Sequence, residues 1–274
     1  MTTLPFVKMH GLGNDFVVLD AFEHEVVVTP ELARKIGDRR FGIGCDQILV
    51  AAPSATADAK MLIYNQDGSE VEMCGNGIRC LALYLRSRGR ASGPSLRVET
   101  LSGVVTPAFA GEAVRVDMGP PIWDARRVPV DADGEVVDRP FTAGGATVAI
   151  SCVSMGNPHA VQFVESVASA PVHTLGPVIE THPFFPRRTN VEFVEVVDRH
   201  HVRMRVWERG AGETLACGSG ACAVAAVSIR LGKAASPVTV SLPGGDLVLE
   251  WDGGTGSVFM TGPGAFVFSG ELVA

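Results

Sequence analysis

Lysine is scarce in this chain: only Lys8, Lys35, Lys60 and Lys233 occur among 274 residues. A Schiff-base lysine would have to be one of these four, and none recurs at the spacing that organises the rest of the sequence. Charge is sparse as well, with 19% charged residues and a net charge of −7. Phosphate contacts need a basic face, so this balance excludes nucleic acid as the main partner. No apolar run approaches the ~20 residues that span a bilayer. The first ten residues carry no signal-peptide pattern. These absences lead to the expectation of a soluble, cytoplasmic protein with no membrane partner. Its six cysteines are then expected to be reduced. At 46% hydrophobic, the chain can bury a core without disulfide staples. Its length suits one large domain or two of ordinary size.

What is present is a duplication. Cys74-Gly75-Asn76-Gly77 is echoed by Cys217-Gly218-Ser219-Gly220, an offset of 143 residues. At the same offset Gly13-Asn14 falls on Gly156-Asn157, Gln47 on Asn190, and Asn65 on Glu208. Gly89 falls on Gly232, and Gly119-Pro120 on Gly262-Pro263. A register held over so long a stretch marks a repeated unit. Two copies are too few for a solenoid, so two similar halves facing each other are expected. One thiol would come from each.

Each half reads as strands around one apolar helix. In the first, residues 16–19, 47–50 and 60–64 have the apolar character of buried strands. Thr29 and Pro30 announce a helix as far as Gly37. A second helix runs from about 76 to 88 and stops at Gly89. In the second half, residues 160–164, 191–197 and 202–207 are expected strands. A glycine-containing loop spans 208–215, and a helix spans about 219 to 231. Leu81, Ala82 and Leu85, with Val224 and Ala225 in the copy, leave these two helices apolar nearly all round. Both should therefore be buried, as a helix wrapped by its own sheet would be.

The repeated cysteines stand at predicted helix starts, with Asn76 and Ser219 as suitable capping types. A helix start offers unpaired N–H groups and a positive dipole end, which bind a carboxylate. The same field favours a thiolate. Two such starts would hold one carboxylate with a cysteine on either side of its α-carbon. That arrangement suits inversion, one thiolate taking a proton while the opposite thiol delivers one. The symmetry breaks at Asn65-Gln66, which becomes Glu208-Arg209, an anion and a cation suited to a zwitterion. It breaks again at Phe16, which becomes His159. A His and a Glu near two thiols would tune which one is ionised.

The same residues also admit simpler readings. Cys45, Cys80, Cys152 and Cys222 sit in apolar settings and read as inert core. A zinc site from Cys74, Cys80, Cys217 and Cys222 fails on spacing. Six and five residues along a helix turn by about 240° and 140°, so no metal is expected. His159 alone would equally suit local structural bonding.

Lys8-Met9-His10-Gly11-Leu12-Gly13-Asn14-Asp15-Phe16, Tyr64-Asn65, Asp67-Gly68-Ser69 and Cys74-Gly75-Asn76-Gly77-Ile78-Arg79-Cys80 resemble the diaminopimelate epimerase family. So do Gly156-Asn157-Pro158-His159, Asn190-Val191, Glu208-Arg209-Gly210-Ala211-Gly212-Glu213-Thr214 and Ala216-Cys217-Gly218-Ser219-Gly220. The resemblance covers nearly the whole chain. It implies an α/β fold of two pseudo-symmetric domains, each a mixed sheet wrapped round a central helix. The domains would be 1–118 with the tail 264–274 returning to it, and 119–263. It implies conversion of LL-2,6-diaminoheptanedioate to the meso form without pyridoxal phosphate or any other cofactor, with Cys217 as base and Cys74 as acid in that direction. Asn14, Gln47, Asn65, Asn157, Asn190 and Arg209 would contact the substrate. Gly75, Asn76, Gly218 and Ser219 would hold the reacting carboxylate through backbone donors. His159 and Glu208 would adjust the ionisation of the cysteines, with Glu208 also near the substrate. A homodimer is implied. The substrate of a proline racemase of the same fold has no distal zwitterion to engage Glu208-Arg209, and a binding protein would have no use for two thiols.

Overall fold

The computed structural model describes residues 3–273. In chain order the elements are β1 (Thr3–Gly11), β2 (Asn14–Asp20), α1 (Pro30–Gly37), β3 (Gln47–Ala52), β4 (Ala59–Asn65), α2 (Gly75–Ser87), β5 (Val98–Thr100), β6 (Gly103–Val105), β7 (Ala108–Ala110) and β8 (Ala113–Asp117). They continue as β9 (Arg139–Ala143), β10 (Ala146–Ser154), β11 (Pro158–Phe163), α3 (Val172–Glu180), β12 (Asn190–Asp198), β13 (His201–Glu208), β14 (Gly212–Glu213), α4 (Gly218–Arg230), β15 (Val238–Leu242), β16 (Gly245–Glu250), β17 (Phe259–Gly262) and β18 (Ala265–Val273). The chain divides into two compact units, Met1–Val116 with Thr261–Ala274, and Asp117–Met260. Among the described residues no helix is long and apolar enough to cross a membrane.

The first unit is a mixed sheet in the order β18-β1-β2-β3-β4-β5-β6. β1 and β2 are antiparallel, β2 and β3 parallel, β3 and β4 antiparallel, β4 and β5 parallel. Its strands are apolar where they meet α2, which packs on β1, β2 and β3. Ile78, Leu81 and Leu85 of that helix are fully buried, each contributing about 1.5–3 kcal/mol of hydrophobic stabilisation. Close approach is needed at the head of the helix. A Cβ at Gly77 would stand 3.2 Å from Leu49 Cδ2. The helix ends before Gly89, whose φ of 70° is a conformation that costs glycine nothing. The tail strand β18 lies antiparallel beside β1, from Thr3↔Val273 to His10↔Ala265.

The second unit repeats the plan. Its strands β10-β11-β12-β13-β15 alternate antiparallel, parallel, antiparallel, parallel. The parallel pair has the same register in both copies, Phe16↔Gln47 in one and His159↔Asn190 in the other. α4 packs on β10, β11, β12 and β13 and is buried along most of its length.

Some details depart from the sequence reading. α3 was not expected, yet it stands where α1, moved by the repeat offset, would fall. Its Gly176 lets the helix approach Trp207, since a Cβ there would be 2.7 Å from the Trp207 Cβ. The expected loop after Glu208 contains the short strand β14, paired with β13. The helices begin one residue earlier than expected, and Asn76 and Ser219 are not their caps. The caps are the cysteines themselves.

Candidate active site

In the first unit the hairpin between β1 and β2 turns through Leu12 and Gly13, with φ of 57° and 90°, and delivers Asn14 beside the head of α2. Cys74 is the N-cap, and its Sγ accepts a hydrogen bond from Gly77 N at 3.4 Å. Asn14 Oδ1 lies 3.9 Å from Cys74 Sγ and accepts from Asn76 Nδ2 at 3.1 Å. Asn14 is held in turn by Asp46, whose Oδ2 accepts from its Nδ2 at 2.9 Å. Behind this stands an ion network absent from the sequence reading. Asp15 meets Lys8 at 2.5 Å and Arg39 at 2.8 Å, and Arg39 reaches Asp46 at 2.6 Å. Burial pushes the Asp15 carboxyl up, but Arg39 and Lys8 together hold it well below the usual range. Gln47 and Asn65 face each other across β3 and β4 and bond at 3.1 Å. Gly75 and Asn76 form the first turn of α2.

In the second unit Cys217 caps α4 in the same way, its Sγ accepting from Gly220 N at 3.4 Å, with Ser219 Oγ at 3.7 Å. Gly218 and Ser219 open the helix. Asn190 is fixed by backbone at both ends, donating to Pro158 O and accepting from Arg209 N, each at 2.9 Å. The Arg209 side chain is anchored to Arg187 O at 3.3 Å. Glu208 accepts from the Thr214 hydroxyl and bonds with Cys217. His159 lies between Asn157 Oδ1 at 2.9 Å and Glu192 Oε1 at 2.6 Å.

The electrostatics of the second unit correct one expectation. The helix-start field was expected to favour a Cys217 thiolate. Instead, burial first, then the carboxylates of Glu208 and Glu192, push the thiol well above its ordinary range. The Gly220 N–H and Ser219 oppose this but do not prevail. Desolvation outweighs a helix end here because Cys217 is only 5% exposed. Burial also raises Glu208, against the pull of Thr214 and His159. Cys45, Cys80, Cys152 and Cys222 are buried. Burial pushes Cys80 up to about 12 and Cys45 up to about 11, which suits inert core. Among the described residues no cluster of His, Cys, Asp and Glu could hold a metal ion.

Sequence reasoning missed Glu192. Its signal was a carboxylate inside an apolar strand, at the position that Leu49 fills in the first copy.

Two duplicated mixed sheets, each with a cysteine capping its central helix, define the class as a two-unit α/β fold built from one repeated plan. Solved structures share it across the chain. A phenazine biosynthesis protein of the PhzF family from Bacillus anthracis superposes with a TM-score of 0.74 at 16% identity, covering 100% of both chains. A hydroxyproline epimerase from Agrobacterium vitis does so with 0.68 at 16% identity, covering 98% of this chain and 92% of that one. The sequence is more specific. The family model for diaminopimelate epimerase matches residues 6–123 and 151–267. The diaminopimelate epimerase of Moorella thermoacetica is 52% identical over 97% of this chain and 98% of its own length. That of Aromatoleum aromaticum is 51% identical over 98% and 99%. The chain belongs to the diaminopimelate epimerase family.

Proposed function

We propose that the chain is a two-cysteine epimerase that interconverts LL- and meso-2,6-diaminoheptanedioate, for lysine and peptidoglycan precursor synthesis. The observation that carries this is the duplicated helix start, with a cysteine as N-cap in each copy. In the LL-to-meso direction the Cys217 thiolate takes the α-proton, and the electron pair of the broken C–H bond passes into the α-carbon and its carboxylate. The Cys74 thiol protonates the opposite face. The cycle leaves Cys217 as thiol and Cys74 as thiolate, and proton exchange resets them.

The backbone N–H groups of Gly75, Asn76, Gly218 and Ser219 would stabilise the charge developing on the reacting carboxylate. Asn14, Gln47, Asn65, Asn157, Asn190, Glu208 and Arg209 would bind the substrate. Glu208, whose carboxyl burial raises, is the neighbouring acceptor for the proton that Cys217 must lose before it can act as base. His159 would act with it on cysteine ionisation. A cytoplasmic setting keeps both thiols reduced. A homodimer is supported by β18, an edge strand with Phe266, Val267 and Phe268 each about half exposed. Sedimentation of Phe266→Glu against the parent tests it, a monomer being the expected result.

The function is tested by incubating reduced protein with LL-diaminoheptanedioate in D₂O and following α-deuterium and the meso isomer. Deuterium at the inverted centre is expected. No exchange with this substrate, but exchange with proline enantiomers, would overturn the substrate assignment.

A further inference from the structure

His159 and Glu192 form a buried acid–base pair that only one unit possesses. Moved by the repeat offset they fall on Phe16 and Leu49, an apolar pair that fills the same place beneath α2. Both side chains of the polar pair are 0% exposed, and Nδ1 and Oε1 are 2.6 Å apart. Glu192 Oε2 is buried with no hydrogen-bond partner among the described residues. The carboxylate reaches under the first turn of α4, where a Cβ on Gly220 would stand 3.0 Å from Oε1. The titratable groups facing the pair are Cys152 on β10, Glu208 on β13 and Cys217 at the head of α4. Burying a carboxylate is costly, and a leucine occupies the same place without that cost in the other copy. A requirement other than packing therefore accounts for its presence.

Counting protons identifies that requirement. Asn157 Oδ1 can only accept, so His159 Nε2, 2.9 Å away, carries a proton and donates it. The short Nδ1–Oε1 contact needs a second proton, which sits on the imidazole or on the carboxyl. Either way the pair holds two protons and is neutral as a whole. With Nε2–H committed to Oδ1, the Asn157 amide cannot flip. Its Nδ2 then points away from His159, and no described residue accepts from it.

We propose that Glu192 is a positioning residue. Through His159 it fixes the Asn157 amide so that Nδ2 is offered as a donor to an anionic oxygen of the substrate. The proposal rests on the epimerase reading, in which Asn157 contacts substrate. Without Glu192 a buried neutral imidazole places its single proton on either nitrogen. When Nε2 is bare, the Asn157 amide turns over and presents Oδ1, which repels a carboxylate. Burial pushes the Glu192 carboxyl up while His159 draws it down, as expected of a partner that shares a proton.

The test uses Glu192→Leu, the double variant His159→Phe/Glu192→Leu that copies the first unit's own pair, and Asn157→Ala. In ¹⁵N spectra of substrate-free protein, His159 Nε2 should carry a proton, and Glu192→Leu should give mixed tautomers. Glu192→Leu should raise KM for diaminoheptanedioate by about tenfold to a hundredfold, the worth of one charge-assisted hydrogen bond, with kcat changed far less. On an Asn157→Ala background it should add nothing further to KM, because that effect passes through the amide. The double variant should show the same KM rise and melt no lower than the parent. An additive effect on the Asn157→Ala background, or a tautomer and KM unchanged in Glu192→Leu, overturns the proposal. Failure of the parent to invert diaminoheptanedioate overturns the epimerase reading instead, and the ¹⁵N spectra still decide the hydrogen-bond arrangement independently.

Discussion

Replacing Cys217 separates two roles that one sulfur atom combines. Its Sγ caps α4 by accepting from Gly220 N at 3.4 Å, and in the proposed reaction it removes the α-proton of the LL isomer. Serine is among the preferred N-cap residues and alanine is not, the loss of a cap costing about 1 kcal/mol. In a chain of this size that change lowers the melting temperature by about 2–4 °C. Cys217→Ala should therefore melt measurably lower than the parent, and Cys217→Ser should melt with the parent. Activity should not follow stability. A positioned general base contributes about 10²–10⁴-fold, and a serine hydroxyl is far too weak an acid to supply an equivalent anion. Both variants should lose inversion of LL-diaminoheptanedioate by at least about 10²-fold. Cys74 remains in each, so the D-centre of the meso isomer should still take up α-deuterium from D₂O without inverting. Thermal melts together with deuterium-resolved NMR read both quantities on one sample. Inversion by Cys217→Ser at near the parental rate would refute the reasoning, as would a Cys217→Ser melt no higher than that of Cys217→Ala.

Burial holds the Glu208 carboxyl above its ordinary range, so the folded state keeps this proton longer than the unfolded chain does. Stability linked to the group then falls as pH rises above the ordinary carboxylate range. Glu208→Gln should gain on the parent in melting temperature from about pH 5 to about pH 8 while inversion is lost, and a gap that does not widen counts against this. Asp15 has the opposite sign, since Arg39 and Lys8 hold its carboxyl down. Its contribution is present above the ordinary range and disappears as pH falls through the folded value. The stability difference between the parent and Asp15→Asn should therefore close in acid, which urea melts on the acid side would show. Gly220→Ala would place a Cβ 3.0 Å from Glu192 Oε1 and 3.1 Å from Cys217 Sγ. The clash should outweigh the ~1 kcal/mol that alanine gains in a helix and cost about 1–3 kcal/mol. A more stable Gly220→Ala would show that the head of α4 is looser than drawn.

How much of this was legible in the sequence depended on whether a feature was carried by the repeat. The sheets and buried helices were, because strand register and apolar helix faces recur at one spacing. α3 was not seen, because Pro171 and Gly176 disguise its pattern, although carrying α1 across by the offset would have found it. The helix caps were misplaced by sequence because asparagine and serine are commoner caps than cysteine. Only the geometry shows Sγ taking the Gly77 and Gly220 N–H groups. The thiolate expectation at Cys217 failed for a further reason: a helix-end field is readable from sequence, whereas desolvation depends on everything packed around the sulfur. The ion network of Lys8, Asp15, Arg39 and Asp46 was hidden because its members are brought together only by the fold.

Duplication by itself gives two equivalent thiols, and a reaction that begins on one of them needs the copies to differ. The second unit departs from the first by His159 for Phe16, Glu192 for Leu49 and Glu208 for Asn65. Two of these were visible, Glu208 because it fills the repeat slot of Asn65 and His159 because it closes the run Gly156-Asn157-Pro158-His159. Glu192 was not, because it replaces one core residue within a strand. Yet all three now surround the head of α4, one hydrogen-bonded to the next or charged toward Cys217. Polarity absent from the first copy has thus collected around a single sulfur. The pattern follows if Cys217 must lose and regain its proton inside a buried site while Cys74, only partly buried, has more access to water.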